Sequence, residues 1–335
     1  MRTLVLGGSV FVGRHTVQAL LDDGHDVSVL NRGKTASDIP ASVGRLVADR
    51  TDIDAMRQVL EGTEWDAVFD VSGFVMAAGG VDVPGLLDLF AGRVGHYVYV
   101  SSVMAYHQDN GVFPWTEDAP TNPDGPATYG GFKALVEAEL LARHRDAGFP
   151  ATVVRPAAIY GPDNNIFDME TPMFLRLLQH RPIVVPHGGL VVCSYGHVDD
   201  LCRCMVDLVG RPEATGEVFN VTTEAVTVDL YVRTLADVVG VEPDVVYLPD
   251  DVLATLDQRP FGHLFGRAHH AAASTEKMRH ILGFQPSFDL RSGHEDTYAW
   301  FLKQGLDDVD GALVDPVWKA SWDFDHEAAV AARLR

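Results

Sequence analysis

Short apolar runs alternate with helical patterns along the first half of this chain. Runs rich in Val, Leu and Phe predict strands at 3–6, 26–30, 44–48, 66–71, 96–101 and 151–155. Apolar residues at helical spacing predict helices near 11–23, 51–61, 81–93 and 128–147. Gly24 and Gly148 follow two of those helices, as helix-ending glycines do. Such alternation predicts an α/β fold, a Rossmann-like doubly wound parallel sheet with helices on both faces. Beyond residue 156 the pattern loosens. Gly, Pro and Asn cluster at 161–165, a helix follows near 171–180, and a Pro/Gly-rich stretch covers 181–189. Strands are expected at 190–195 and 217–221, and a helix at 228–239. The expected division is a first domain over 1–160 and a smaller, mixed substrate-binding region over 161–335, with the last sheet strands interleaved.

The first strand stops at Gly7-Gly8, and a helix starts near Phe11. A strand, a glycine turn and a helix start form a phosphate cradle. Glycines admit the backbone to a pyrophosphate, and free N–H groups at the helix N-terminus point at it. Gly7, Gly8 and Gly13 are therefore candidate dinucleotide-binding residues. Val10 stands where such loops carry a central glycine. The second strand ends in Asn31-Arg32-Gly33-Lys34. An NAD site usually places an acidic residue there for the ribose hydroxyls. Asn31, followed by the cations Arg32 and Lys34, suits a 2′-phosphate instead, so NADP is expected, with NAD as the alternative. Asp49-Arg50 follows the third strand, where an adenine ring would lie, and Ser72-Gly73 ends the fourth.

Tyr129 and Lys133 share one face of the helix that begins there. A phenol is a poor acid–base at neutral pH, and a nearby ammonium lowers its pKa. Ser101 and Ser102 end the fifth strand, where side chains face the ligand crevice of a parallel sheet.

Together, in this order, these features resemble the extended short-chain dehydrogenase/reductases, the NAD-dependent epimerase/dehydratase family. Arg155-Pro-Ala-Ala-Ile-Tyr-Gly-Pro162, His197-Val-Asp-Asp-Leu201, Phe219-Asn-Val221 and Leu282-Gly-Phe-Gln-Pro286 extend the resemblance over nearly the whole chain. The resemblance implies Tyr129 as acid–base, Lys133 as its activator and ribose ligand, and Ser102 as the orienting hydroxyl. Ser102 is preferred to Ser101 because it lies four before Tyr106. The resemblance also implies cofactor contacts from Ser9, Phe11, Val12 and Pro156, substrate contacts from Met104 and His107, and a homodimer. The expected chemistry is hydride transfer at an alcohol or ketone carbon of a small polar, sugar-like molecule.

The chain departs from this pattern in three places. The loop with Val10, followed by Asn31-Arg-Gly-Lys34, is similar to an atypical branch that includes chloroplast stem-loop-binding proteins. Ala158 replaces an asparagine that holds the substrate diphosphate in nucleotide-sugar enzymes. Cys193 replaces a phosphate-binding arginine, and Arg259 or Arg267 is the candidate replacement cation. A nucleotide sugar is disfavoured on that ground. The competing reading is a non-catalytic nucleotide-sensing or interaction protein on the same fold.

Composition narrows the field. The 335 residues carry a net charge of −21, which opposes nucleic-acid binding. The cysteines, Cys193, Cys202 and Cys204, are sparse and odd in number, which points to a reducing, cytoplasmic compartment. The apolar run after Met1-Arg2 is too short for a leader, and no run is long enough to span a membrane. His263, His269 and His270 lack an acidic partner at fixed spacing, so no metal is expected.

Overall fold

The computed structural model describes residues 1–35, 39–71, 80–164, 166, 169–308, 313 and 322–335. Its strands are β1 (Arg2–Leu6), β2 (Asp26–Asn31), β3 (Gly44–Val47), β4 (Trp65–Asp70), β5 (Val94–Val100), β6 (Ala151–Pro156), β7 (Ala158–Tyr160), β8 (Pro182–Pro186), β9 (Val192–His197), β10 (Val218–Val221), β11 (Glu224–Thr227) and β12 (Asp244–Leu248). Its helices are α1 (Phe11–Asp22), α2 (Ile53–Leu60), α3 (Val83–Asp88), α4 (Tyr129–Ala147), α5 (Glu170–Leu178), α6 (Val198–Leu208), α7 (Val228–Val239), α8 (Asp250–Leu253), α9 (Glu276–Leu282), α10 (Leu290–Lys303) and α11 (Phe324–Leu334). The chain forms two compact units, each drawn from several segments.

The first unit takes Met1–Ala157, Val198–Thr222 and Ala273–Gln285. Its sheet has the order β10-β6-β5-β4-β1-β2-β3, and every neighbouring pair is parallel. Central strands of such a sheet are covered on both faces, so their sequences are unbroken apolar runs. Leu4, Val5, Leu6, Ala67, Val68 and Phe69 are all buried for that reason. Strand order reverses between β1 and β4. A ligand crevice forms beyond the carboxyl ends of the strands at such a switch point. The glycine turn after β1 sits there. Helix α6 returns to this unit and packs on α1, where the Thr16 hydroxyl lies 3.4 Å from Cys202 Sγ.

The second unit takes Ala158–His197, Thr223–Ala272 and Pro286–Arg335. It holds a three-stranded sheet, β11-β9-β7, and a parallel pair, β12-β8. Strand β8 was not expected, because 181–189 reads as a Pro/Gly-rich connection. Pro182 and Pro186 lie at the two ends of this strand, and a two-stranded sheet leaves each strand one open edge. The missing proline N–H groups are tolerated there. The strand expected at 190–195 is offset by two residues. Helix α7 matches its expected range because both ends are signalled: the Thr227 hydroxyl accepts the Leu230 N–H (3.2 Å), and Gly240 takes the left-handed conformation.

Candidate active site

Space around the glycine turn is tight. A Cβ on Gly13 would lie 2.6 Å from the Gly8 nitrogen, and a Cβ on Gly8 would lie 2.7 Å from Val29 Cγ1. Only glycine lets β1, the turn and α1 close on one another here. No side chain caps the N-terminus of α1 and no acidic residue lies in its first turn, which leaves its N–H groups to an anion. Phe11 has φ +38°, a left-handed conformation that costs a bulky residue about 1–3 kcal/mol and recurs at ligand clamps. Val10 is extended, at φ −142°, and 47% exposed. That backbone needs no glycine, which accounts for a valine at the position. Ser9 and Val12 flank the turn, both half-buried.

Asn31 ties the end of β2 to this turn. Its Nδ2 donates to Ser9 Oγ (3.0 Å), and its Oδ1 accepts the Gly33 N–H (2.8 Å). Arg32 and Lys34 are exposed on the same turn. Asp49 binds the Thr51 N–H (3.0 Å) and hydroxyl (2.8 Å). Those bonds, with a smaller pull from Arg32 and Lys34, hold its carboxyl below the usual range despite partial burial. Asn31, Arg32, Lys34 and Asp49 thus gather beside the glycine turn. Ser72 and Gly73 lie outside the described residues. Pro156 is buried at the end of β6, paired with Val221 of β10.

Arg50 is placed differently from its neighbour. It was expected on the adenine side, yet it is buried, and its two terminal nitrogens donate to Asp70 at 2.8 and 2.9 Å. A guanidinium finds a planar carboxylate at the end of β4 instead of solvent, and the pair satisfies both charges.

The predicted catalytic residues do meet. Thr128 caps α4 by accepting the Gly131 N–H (3.1 Å). A side chain on Gly130 would overlap the Met104 carbonyl, so glycine lets the helix start press on the Val103–Ala105 turn. Ser102 caps that turn, accepts the Met104 N–H (3.1 Å) and hydrogen-bonds the Tyr129 phenol. One turn along α4, Lys133 is 2% exposed. Its Nζ donates to the Val100 carbonyl at 2.5 Å and lies 5.6 Å from the Tyr129 ring centroid.

Electrostatics at Tyr129 run against the sequence-based expectation. Burial pushes the phenol up to about 12, and the Ser102 hydrogen bond recovers only part of the rise. The Lys133 ammonium, 5.6 Å from the ring centroid, does not offset that burial. Burial also pushes Lys133 down to about 8, with Asp70 and Glu137 opposing the fall and Arg50 adding to it.

Two buried ion pairs around Lys133 have no local sequence signal. Asp70 accepts from Arg50 and from the Tyr97 hydroxyl (2.8 Å). Glu137, four residues after Lys133, accepts from the Ser101 hydroxyl and from Arg155 (2.6 Å). The Arg155 guanidinium stacks 4.4 Å from the Tyr106 ring centroid, and the Tyr106 hydroxyl donates to Asn220 (2.7 Å). Ser101 therefore serves this network, which leaves Ser102 for the phenol. The clue was the helix itself, since α4 carries Lys133 and Glu137 on its buried face.

Of the expected substrate residues, Met104 and His107 are half-buried in the segment after Ser102. In the second unit, Arg267 acts electrostatically on Cys193 and Tyr195, so this cation stands near the position where arginine is missing. Burial, opposed by Arg267, still raises the Cys193 thiol. Ala158 opens β7, opposite Tyr195 of β9.

Comparison with known proteins shows the family and the fold. The model of the NAD dependent epimerase/dehydratase family matches residues 3–82 and 85–222. The chloroplast stem-loop binding protein of 41 kDa b from Arabidopsis thaliana is 29% identical over 312 residues, which cover 89% of this chain and 78% of that protein. A UDP-glucose 4-epimerase from Corynebacterium glutamicum is 26% identical over 339 residues, covering 92% and 97%. Among solved structures, a dTDP-glucose 4,6-dehydratase from Bacillus anthracis in complex with NAD shares the fold, with a TM-score of 0.75 and 19% identity. The match covers 91% of this chain and 99% of that one.

Proposed function

This chain belongs to the NAD dependent epimerase/dehydratase family, and from that premise we propose an NAD(P)-dependent oxidoreductase or epimerase. It would move a hydride to or from an alcohol or ketone carbon of a small, polar, sugar-like substrate. The observation that carries this reading is the buried Lys133 ammonium, 5.6 Å from the Tyr129 ring centroid and one turn along the same helix, with Ser102 acting on the phenol. A sensing protein that had abandoned chemistry would have no use for a buried lysine beside a buried phenol.

The residues fit a dinucleotide. Gly8 and Gly13 close the turn as a side chain would not allow, and the uncapped start of α1 offers N–H groups to a pyrophosphate. Arg32 and Lys34 favour NADP, because two cations suit a 2′-phosphate and no acidic side chain ends β2. When bound, the nicotinamide supplies or accepts the hydride. Tyr129 moves the proton on the substrate oxygen. With its phenol pushed up to about 12, Tyr129 is protonated at neutral pH and ready to donate, which favours carbonyl reduction. Ser102 orients the same oxygen. Relatives named for UDP-glucose and dTDP-glucose add nucleotide-linked sugars to free keto sugars as candidates.

The test is a panel of sugar nucleotides and keto sugars assayed with NADPH and NADH. Tyr129→Phe is expected to lower kcat about 10²- to 10⁴-fold while cofactor affinity stays within about twofold. Reduction by the native protein is expected to decline as pH rises through about 8, where Lys133 loses its charge. Undiminished turnover in Tyr129→Phe would remove this residue from the chemistry.

A further inference from the structure

The Arg50–Asp70 pair is buried within electrostatic reach of Lys133. Asp70 is the last residue of β4 and pairs in register with Tyr99 of β5. The Tyr99 ring centroid lies 4.8 Å from Lys133 Nζ, and Val100, the next residue, takes the Lys133 hydrogen bond. Asp70 is thus one strand away from the site that holds the ammonium. It accepts three hydrogen bonds, two from Arg50 and one from Tyr97. Burial alone would push its carboxyl up. The guanidinium and the phenol outweigh burial and keep it below the usual carboxylate range. Arg50, itself buried, is held charged by the same contact despite desolvation.

We propose that Asp70, pinned by Arg50 and Tyr97, is a positioning residue that keeps Lys133 charged beside the Tyr129 ring. The charged and titratable groups that face Lys133 are Asp70 from β4, Arg50 from the segment after β3, Tyr99 from β5, and Tyr129 and Glu137 from α4. Glu137 is occupied by Arg155 and Ser101. Asp70 is the carboxylate with the largest effect on Lys133, and Arg50 opposes it. A buried ion pair contributes little net stability compared with apolar residues of similar volume. Its place beside a buried lysine gives it a role that packing does not. The Arg50 guanidinium locks the Asp70 carboxylate in one orientation through a bidentate contact.

The inference rests on Lys133 belonging to the proton-transfer set, but its test does not depend on turnover. The chain has five lysines, so the Lys133 side-chain Cε resonance can be resolved and titrated by NMR in the intact protein. In Asp70→Asn the carboxylate is gone while Arg50 remains, and the Lys133 midpoint is expected to fall by about one pH unit or more. In the double variant Arg50→Leu/Asp70→Leu both charges go, and the midpoint is expected between that of Asp70→Asn and that of the native protein. This ordering separates an electrostatic role from a structural one, since a loosened site would release Lys133 to water and move its midpoint upward. If Asp70→Asn moves upward, the double variant alone decides: a fall supports the proposal and an unmoved midpoint overturns it. Identical midpoints in all three proteins overturn it as well. A native chain that turns over none of the panel while Lys133 titrates as stated would contradict the proposed function and leave the electrostatic coupling standing.

Discussion

At Tyr129, burial and a hydrogen bond from Ser102 act in opposite directions, and burial wins. The phenol is therefore held protonated at neutral pH, and burial pushes its neighbour Lys133 down to about 8. Residue identity at the turn after β2 decides a separate question, the choice of cofactor. Asn31 spends its side chain on Ser9 and Gly33, which fixes the loop and leaves Arg32 and Lys34 exposed. If those cations bind a 2′-phosphate, Arg32→Ala should weaken NADPH about tenfold and NADH less than twofold. Calorimetric titration of the variant with each nucleotide checks this, and equal losses would contradict the assignment.

Elements differ in how plainly their sequences announce them. Strands β1, β4 and β5 each hold a buried apolar stretch because both of their faces are covered, and their ranges could be read to within a residue or two. The Tyr129–Lys133 face of α4 was legible from spacing, since helix geometry converts four residues into one turn. The Arg50–Asp70 contact was not, because two polar residues twenty apart meet only once β4 takes its place in the sheet. Strand β8 was hidden by its terminal prolines. The direction of the Tyr129 shift depends on desolvation, which no motif records. Helix α5 shows the same limit. Its first residue, Glu170, is buried and accepts from the Gly161 N–H (3.2 Å) and from Asn164 Nδ2 (2.9 Å). Burial outweighs these donors and pushes the carboxyl up to about 7, from an ordinary value of 4.5. A carboxyl raised on folding contributes stability that is complete below its unfolded value and is lost as pH rises through 7. Glu170→Gln cannot ionise, so it should be more stable than the native protein at pH about 8.5, by roughly 2–3 kcal/mol. Near pH 4 the advantage should vanish. Urea unfolding at both pH values measures the difference, and a gap that does not change with pH would contradict this account of Glu170.

For the molecule as a whole, charge bears on the choice of partner. A net charge of −21 repels a phosphate backbone, although a relative is named for stem-loop binding. Among the described residues no helix is long and apolar enough to cross a membrane. We expect no shift of a stem-loop RNA on a native gel at about 0.1 M salt, and a salt-sensitive shift would contradict that expectation. The two units draw on interleaved segments, so the first unit needs β10 and α6 from beyond residue 160 to complete its sheet and to cover α1. That unit carries the glycine turn, Ser102, Tyr129 and Lys133. We propose that it binds a nicotinamide dinucleotide against the Gly7–Gly13 turn. Calorimetric titration of nucleotide-free protein with NADPH and NADH, beside Gly13→Val, tests it most directly. Saturable one-to-one binding of at least one of them is expected, lost in the variant, whose side chain fills the turn. A native protein that binds neither, or a variant that binds as well as the native chain, would contradict it.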